Sequence, residues 1–295
     1  MGSAPPAGRL GVLAESVRTV PDPGLGSAVG EAERAPLATR WVVAWYASRV
    51  WAFCVAESHK IRHDRTELLT RAVQPALWLI IFGQTVSKLH AVPTGHLTYL
   101  QFLAPGVLAQ SGLFVAVFYG IQVIWERDAG VLAKVLSTPT PRAAFALGKA
   151  FAASVRVLVQ AVAVLVLCVV LGIELHWNPI NLLGAAVALV LGAGFFTTLS
   201  MILAGLVLSR ERLIGIGQMI TMPLFFCSNA LYPVAAMPPW LQFLSHINPL
   251  TYEVNALRGL LVGTPATLWL DYLVLTGSLI AGVIVSAKLL PRLVR

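Results

Sequence analysis

The sequence predicts an all-α integral membrane protein with six transmembrane helices, an amphipathic cytoplasmic helix before the first span, and short re-entrant helices between spans five and six. Three observations predict it. Hydrophobic residues make up 57% of the 295 residues and charged ones 12%, with a mean hydropathy of +0.78, a composition suited to a bilayer rather than to water. Six apolar runs each come close to the ~20 residues a spanning helix needs. The basic residues are also lopsided: of 21 Lys and Arg, all but Lys88 and Arg258 fall in segments that the span order puts on one side. That is the positive-inside bias, so the net charge of +8 reflects topology, and nucleic acid is not an expected partner.

Residues 1–39 are rich in Pro, Gly, Ala and Ser with no sustained period, which predicts a disordered cytoplasmic tail without the apolar core of a signal peptide. Over 40–71, Trp41, Trp45 and Val55 share a helical face with small residues, and Lys60, Arg62, Arg65 and Arg71 follow. Tryptophans with basic residues suggest an amphipathic helix lying on the membrane surface; a soluble helical hairpin is the alternative. His59 and His63 stand one helical turn apart beside Asp64, but a zinc site needs a third ligand, and the HExxH pattern is absent. Metal is therefore not expected. Cys54, Cys168 and Cys227 are too scattered for a disulfide framework.

Residues 72–295 form the six-span domain, with spans placed at Ala72–Ser87, Leu97–Ile124, Phe151–Ile173, Ile180–Leu208, Leu213–Tyr232 and Leu268–Leu290. The Lys88–His96 loop is short and poor in basic residues, so it faces out. Arg127, Lys134, Arg142 and Lys149, then Arg210 and Arg212, and finally Lys288, Arg292 and Arg295 face in. Both termini are thereby cytoplasmic, and the protein belongs in the cell inner (plasma) membrane. Arg156 can snorkel toward the cytoplasmic end of span three. Gly184, Ala188 and Gly192 give span four a line of small residues for close helix approach.

The longest interior polar interruption is Trp125 to Arg142. Val131, Leu132, Val135 and Leu136 recur at one-turn spacing beside Glu126, Arg127, Asp128 and Lys134, which predicts one short amphipathic helix or a solvated loop joining two spans. Thr138-Pro139 stops it, and Thr140-Pro141 reads as an N-cap with proline opening the next helix.

Between spans five and six, Cys227 to Gly263 is too apolar for a free loop and too often broken by proline for one crossing helix. It predicts short helices that dip into the outer leaflet, with starts at Pro238-Pro239-Trp240 and Asn248-Pro249-Leu250. Glu253, Arg258 and Asp271 then fall at the outer mouth, where a local ion pair holding these pieces together is favoured over substrate contact.

Several function classes lose support. A lone membrane-edge aspartate and the lack of Gly-x-Ser-x-Gly argue against an intramembrane protease. Span centres almost free of ionisable groups argue against a channel or proton-coupled carrier. A lipid-modifying enzyme or a purely structural membrane protein stays open as a non-transport alternative.

Glu126-Arg-Asp-x-Gly-x-Leu with Leu136-Ser-Thr-Pro and Gly148-Lys149, then Ser228-Asn-Ala-Leu-Tyr-Pro, Met237-Pro-Pro-Trp and Asn248-Pro-Leu-Thr-Tyr with Arg258, resembles the membrane subunit of an ABC type-2 exporter. The likeness runs from about Arg40 to the C-terminus and is nearest to bacterial drug-resistance permeases of the daunorubicin-exporter kind. The resemblance implies that Glu126, Arg127, Asp128, Gly130, Leu132 and Leu136 belong to a coupling helix docked on a separate ATPase. It makes 40–71 the interface helix beside it; the 1–39 tail departs from the family.

The chain has no Gly-x-x-x-x-Gly-Lys-Ser/Thr loop, since Gly148-Lys149 is followed by Ala150. No ATPase activity and no bound cofactor are expected of it. ATP and Mg would sit on the partner ATPase, in two copies, with a second permease, identical or homologous, and membrane lipids completing the set of partners. For the transport path the spans offer Phe114, Phe118, Tyr119, Phe195, Phe196, Phe225 and Phe226, with Gln84, Gln110, Gln122, Gln160 and Gln218 as amides and Asn229 at the end of span five. That mostly apolar set favours export of an amphipathic drug or lipid-like molecule over a polysaccharide or lipid-linked glycan.

Overall fold

The computed structural model describes residues 73–89, 94, 96–137 and 141–293. The expected tail, the 40–71 helix, His59, His63 and Cys54 lie outside the described residues, as does the Thr138-Pro139-Thr140 stop.

The first helix, α1, covers residues 73–89, with Trp78–Gly83 wound as a π-helix. Thr98 starts α2 (Tyr99–Ile121) through a capping box with Gln101, each side chain accepting from the other's backbone N–H. Two short helices follow, α3 (Val123–Asp128) and α4 (Val131–Leu136). Then come α5 (Arg142–Val170), α6 (Pro179–Val207), α7 (Arg210–Phe226), a 3-10 turn at Val234–Ala236, α8 (Pro239–Ile247), α9 (Pro249–Val262) and α10 (Leu268–Leu289).

Among the described residues four helices are long and apolar enough to cross a membrane: α2, continued by α3, and α5, α6 and α10. The other two expected spans are shorter. At 17 residues α7 reaches about 26 Å, against a hydrocarbon core of ~30 Å.

The centre of the bundle is α6, which packs on α2, α5, α9 and α10. Its sequence explains why, because small residues let neighbours approach. Gly120 of α2 abuts the Thr197 carbonyl and Ser200, and Ser200 Oγ donates to the Val117 carbonyl at 2.8 Å. Thr197 Oγ1 donates to the Ala116 carbonyl at 3.3 Å. Such interhelical hydrogen bonds are worth only ~0.6 kcal/mol each, so the close approach at Gly120 matters more than either bond. The expected Gly184–Ala188–Gly192 line receives α9 and α10: Gly184 faces Leu260 and Tyr272, and Gly192 faces the Glu253 carboxyl.

The helix-start signals hold. Pro239 opens α8 at its first turn, and Asn248 caps α9 by accepting from Leu250 N at 3.0 Å, with Pro249 at the first helical position. Three expectations need correction. The fifth apolar helix ends at Phe226 rather than Tyr232, because Ser228 turns back to donate to the Phe225 carbonyl at 2.7 Å. The third long helix starts at Arg142, nine residues before the expected Phe151, with Pro141 as the residue preceding it rather than its first member. The expected single amphipathic helix is two, split at Gly130, whose φ of +72 closes α3 in the left-handed manner glycine favours.

Candidate functional site

The α3–α4 elbow carries the densest polar geometry. Its residues follow directly on α2, so the end of a long apolar helix delivers Trp125, Glu126, Arg127 and Asp128 together. Glu126 pairs with Lys149 of α5, which is nearly fully buried and also lies 4.8 Å from the Tyr119 ring centre. Arg127 Nη2 meets Asp128 Oδ1 at 2.8 Å, and Asp128 Oδ2 meets Arg210 Nε of α7 at 2.9 Å. Arg127 Nη1 donates to the Leu208 carbonyl at 2.9 Å, capping the C-terminus of α6, where a cation also suits the helix dipole. The Arg210 guanidinium lies 5.5 Å from the Trp125 ring centre.

Glu126, Arg127 and Asp128 are therefore not loose charges waiting for a partner. They tie one elbow to the start of α5, the end of α6 and the start of α7. A push on the elbow reaches three helices at once. Gly130 supplies its turn, and Leu132 is fully buried beneath it.

The residues proposed for the transport path do not converge. Phe114 and Phe118 stack at 6.3 Å and line a cavity of about 300 Å3 with Gln74, Pro75, Ser111, Val115 and Gln160. Phe195 and Phe196 touch edge to face on α6, and Phe196 is entirely buried. Phe225 is buried against Trp78 at 5.4 Å, whereas Gln218 is exposed on α7. Asn229 donates to Asn255 Oδ1 at 2.5 Å.

Glu253, Arg258 and Asp271 are buried, at 1%, 6% and 2% exposure, so none lines an open mouth. They also make no ion pair with one another among the described residues. Arg258 instead donates to the carbonyls of Asn229 at 2.9 Å and Phe102 at 3.2 Å and lies 3.8 Å from the Phe102 ring centre. Asp271 lies beside Asn255. The reason is geometric: residues 253 and 258 lie on different faces of α9, and only the latter reaches the N-terminal end of α2.

Sequence reasoning missed Lys149 as the partner of Glu126, the Leu208 carbonyl, Asn255, and the place of the Tyr119 ring under Lys149 and Arg156. The Glu126–Lys149 pair spans 23 residues across a helix break and leaves no periodic trace. The polar Asn255 within an apolar helix was the one available signal.

Comparison with known proteins gives a consistent picture. Residues 48–262 match the ABC-2 type transporter family. The ycf38 transport permease of Cyanophora paradoxa is 33% identical over 193 residues, covering 65% of this chain and 66% of that protein. The daunorubicin resistance ABC transporter permease of Streptomyces coeruleorubidus is 29% identical over 236 residues, 79% of this chain and 81% of its own length. A doxorubicin resistance ABC transporter permease of Mycobacterium tuberculosis is 28% identical over 207 residues, 68% and 72% of the two chains.

Proposed function

The chain belongs to the ABC-2 type transporter family, and on that premise we propose that it is the membrane half of an ATP-driven exporter of an amphipathic drug or lipid-like molecule. As an ABC-2 permease it is a multi-pass membrane protein that works with ABC ATPase subunits, and its family domain contains no ATPase. The finer reading adds two ATPases holding ATP and Mg, a second permease, and α1 and α7 as further spans to make six, with both termini cytoplasmic.

Similarity to the daunorubicin and doxorubicin resistance permeases carries the drug reading. The cavity at Phe114 and Phe118 supports it, because about 300 Å3 of mostly apolar wall with the amides of Gln74 and Gln160 suits a lipophilic ligand bearing a few polar groups. In the mechanism, closure of the ATPase pair pushes the α3–α4 elbow. The Glu126–Lys149, Asp128–Arg210 and Arg127–Leu208 contacts pass that push to α5, α7 and α6, which rock between inward and outward access.

The test is the permease reconstituted with its ATPase in proteoliposomes. Hydrophobic cationic drugs or lipids should stimulate ATP hydrolysis and be moved, and Phe114→Ala with Phe118→Ala should raise KM for them more than it lowers kcat. Stimulation by a lipid-linked glycan alone would show the drug reading to be wrong.

A further inference from the structure

We propose that Glu253 is a proton-binding site at the centre of the bundle, occupied in the packed arrangement seen here and emptied toward the outer aqueous phase when α9 moves off α6. The inference goes beyond the exporter reading and does not depend on which molecule is exported.

The site is built into the packing. Glu253 is 1% exposed, and its carboxyl lies against Gly192 of α6 and approaches Gly112 of α2. A Cβ at Gly192 would collide with both carboxyl oxygens, so the absence of a side chain there makes the space the carboxyl fills. Val157 of α5 and Leu189 of α6 also stand within 4 Å of a Cβ placed at Gly112 and complete the apolar wall. Gly192 stands next to the midpoint of α6 (Pro179–Val207), and Gly112 stands near the midpoint of α2 (Tyr99–Ile121). The carboxyl is therefore at mid-bilayer depth. The ionisable group comes from the short helix α9 and not from a span.

Among the described residues no counter-charge answers it. Along its whole length α6 carries no titratable or charged side chain. On α2 the titratable groups are Tyr99 and Tyr119, at opposite ends; Tyr99 donates to the Leu231 carbonyl. On α5 they are Arg142 at its first residue, Lys149, Arg156 and Cys168, with Lys149 and Arg156 both set over the Tyr119 ring. On α10 they are Asp271, Tyr272 and Lys288, with Asp271 beside Asn255 and Tyr272 donating to the Gly184 carbonyl. On α9 itself, Tyr252 donates to the His246 carbonyl and Arg258 to two other carbonyls. Glu253 Oε2 has no hydrogen-bond partner. An ionised carboxylate in such a place is prohibitively costly, and a carboxylic acid is tolerated.

Among the buried polar atoms without a hydrogen-bond partner, three mark one end of the bundle. Buried Asn229 Oδ1, Arg258 Nε and Asp271 Oδ2 lack partners, and all three lie toward the bundle end that carries Thr98 and Thr267. Water satisfying them would extend from that end toward Glu253. In the proposed orientation that end faces outside. The step is a plain dissociation: the Glu253 O–H bond breaks as the site opens, the proton leaves to outer water, and the carboxylate takes a proton back before the helices close.

Linkage sets the sign. The packed state holds one proton more than the open one. From the range of an exposed Glu, about pH 4.3, up to the packed-state value, each unit of acidification outside shifts the balance about tenfold toward the packed state.

The experiment uses the full permease–ATPase complex in nanodiscs and in proteoliposomes. Infrared spectra at neutral pH should contain a protonated carboxyl band that shifts in D2O and is lost in Glu253→Gln; absence of that band overturns the proposal whatever the complex exports. In proteoliposomes, lowering the outer pH from about 8 to about 6 should slow ATP turnover by up to about tenfold per unit, and Glu253→Gln should be flat. Equal slopes in the two proteins overturn it. Glu253→Gln should insert and fold as the native chain does. Its failure to fold beside a well-folded Glu253→Asp would mean that the ionised form is needed, which also overturns the proposal.

Discussion

Arg127 Nη1 donates to the carbonyl of Leu208 at 2.9 Å, and Leu208 is the one non-glycine residue at positive φ (56°) among the described residues. The left-handed conformation costs a branched residue about 1–2 kcal/mol, and the arginine stands over the carbonyl that this conformation exposes. Leu208→Gly should therefore raise the unfolding midpoint in detergent, by the equivalent of about 1 kcal/mol. Arg127→Ala should lower it by about 1 kcal/mol or less, since the pair is part-exposed. A destabilised Leu208→Gly would mean that the left-handed cap is not how α6 ends.

Glycines separate close approaches from incidental ones. A Cβ at Gly106 would lie 2.9 Å from both Cα and C of Ala230, whereas nothing stands within 4 Å of one at Gly277. Gly106→Ala should cost about 1–3 kcal/mol by forcing α2 off the turn after α7. Gly277→Ala, in the interior of α10, should be neutral or stabilising by up to about 1 kcal/mol. Thermal unfolding of the two variants side by side decides the matter; similar behaviour would contradict the packing at Ala230.

Much of this architecture was legible in the sequence, for reasons that differ by element. Pro239, Asn248 and Pro249 announce helix starts because their chemistry is local, and they sit at those starts. The long apolar runs announce α2, α5, α6 and α10 for a similar reason. What stayed hidden was pairwise and distant. Nothing near Glu126 names Lys149, and Arg258 looked like a natural partner for Glu253 until α9 turned the two onto different faces. Gly130 was visible as a glycine, but whether it bent one helix or divided two depended on its φ. Phenylalanine spacing does not distinguish packing, as at Phe196 and Phe225, from a cavity wall, as at Phe114 and Phe118.

The proposed orientation predicts a labelling pattern. Cysteines placed singly at Thr94 and Thr264 in a background lacking Cys54, Cys168 and Cys227 should react with a membrane-impermeant thiol reagent in intact cells. One at the exposed Ser137, beyond α4, should react only after permeabilisation. Labelling of Ser137→Cys from outside would invert the topology and move the α3–α4 elbow away from any cytoplasmic ATPase.

The last prediction separates two roles for Glu126. Its acidic side chain was expected to reach the ATPase, yet it pairs with Lys149, at 31% exposure for the glutamate side chain and 5% for the lysine. Breaking the pair from the glutamate side removes a charged partner from a buried ammonium. Glu126→Gln should thus cost about 2 kcal/mol, between the values for exposed and fully buried pairs, while Glu126→Gln with Lys149→Met should recover at least half of it. Coupling gives the sharper reading. If Glu126 serves as an internal strut that carries elbow motion to α5, Lys149→Met should reduce substrate-stimulated ATP hydrolysis as much as Glu126→Gln does, in protein that still inserts and binds the ATPase. If the carboxylate instead contacts the ATPase directly, only Glu126→Gln will uncouple and Lys149→Met will couple normally. The Lys149 variant therefore decides whether the force enters the bundle through Glu126 or merely passes beside it.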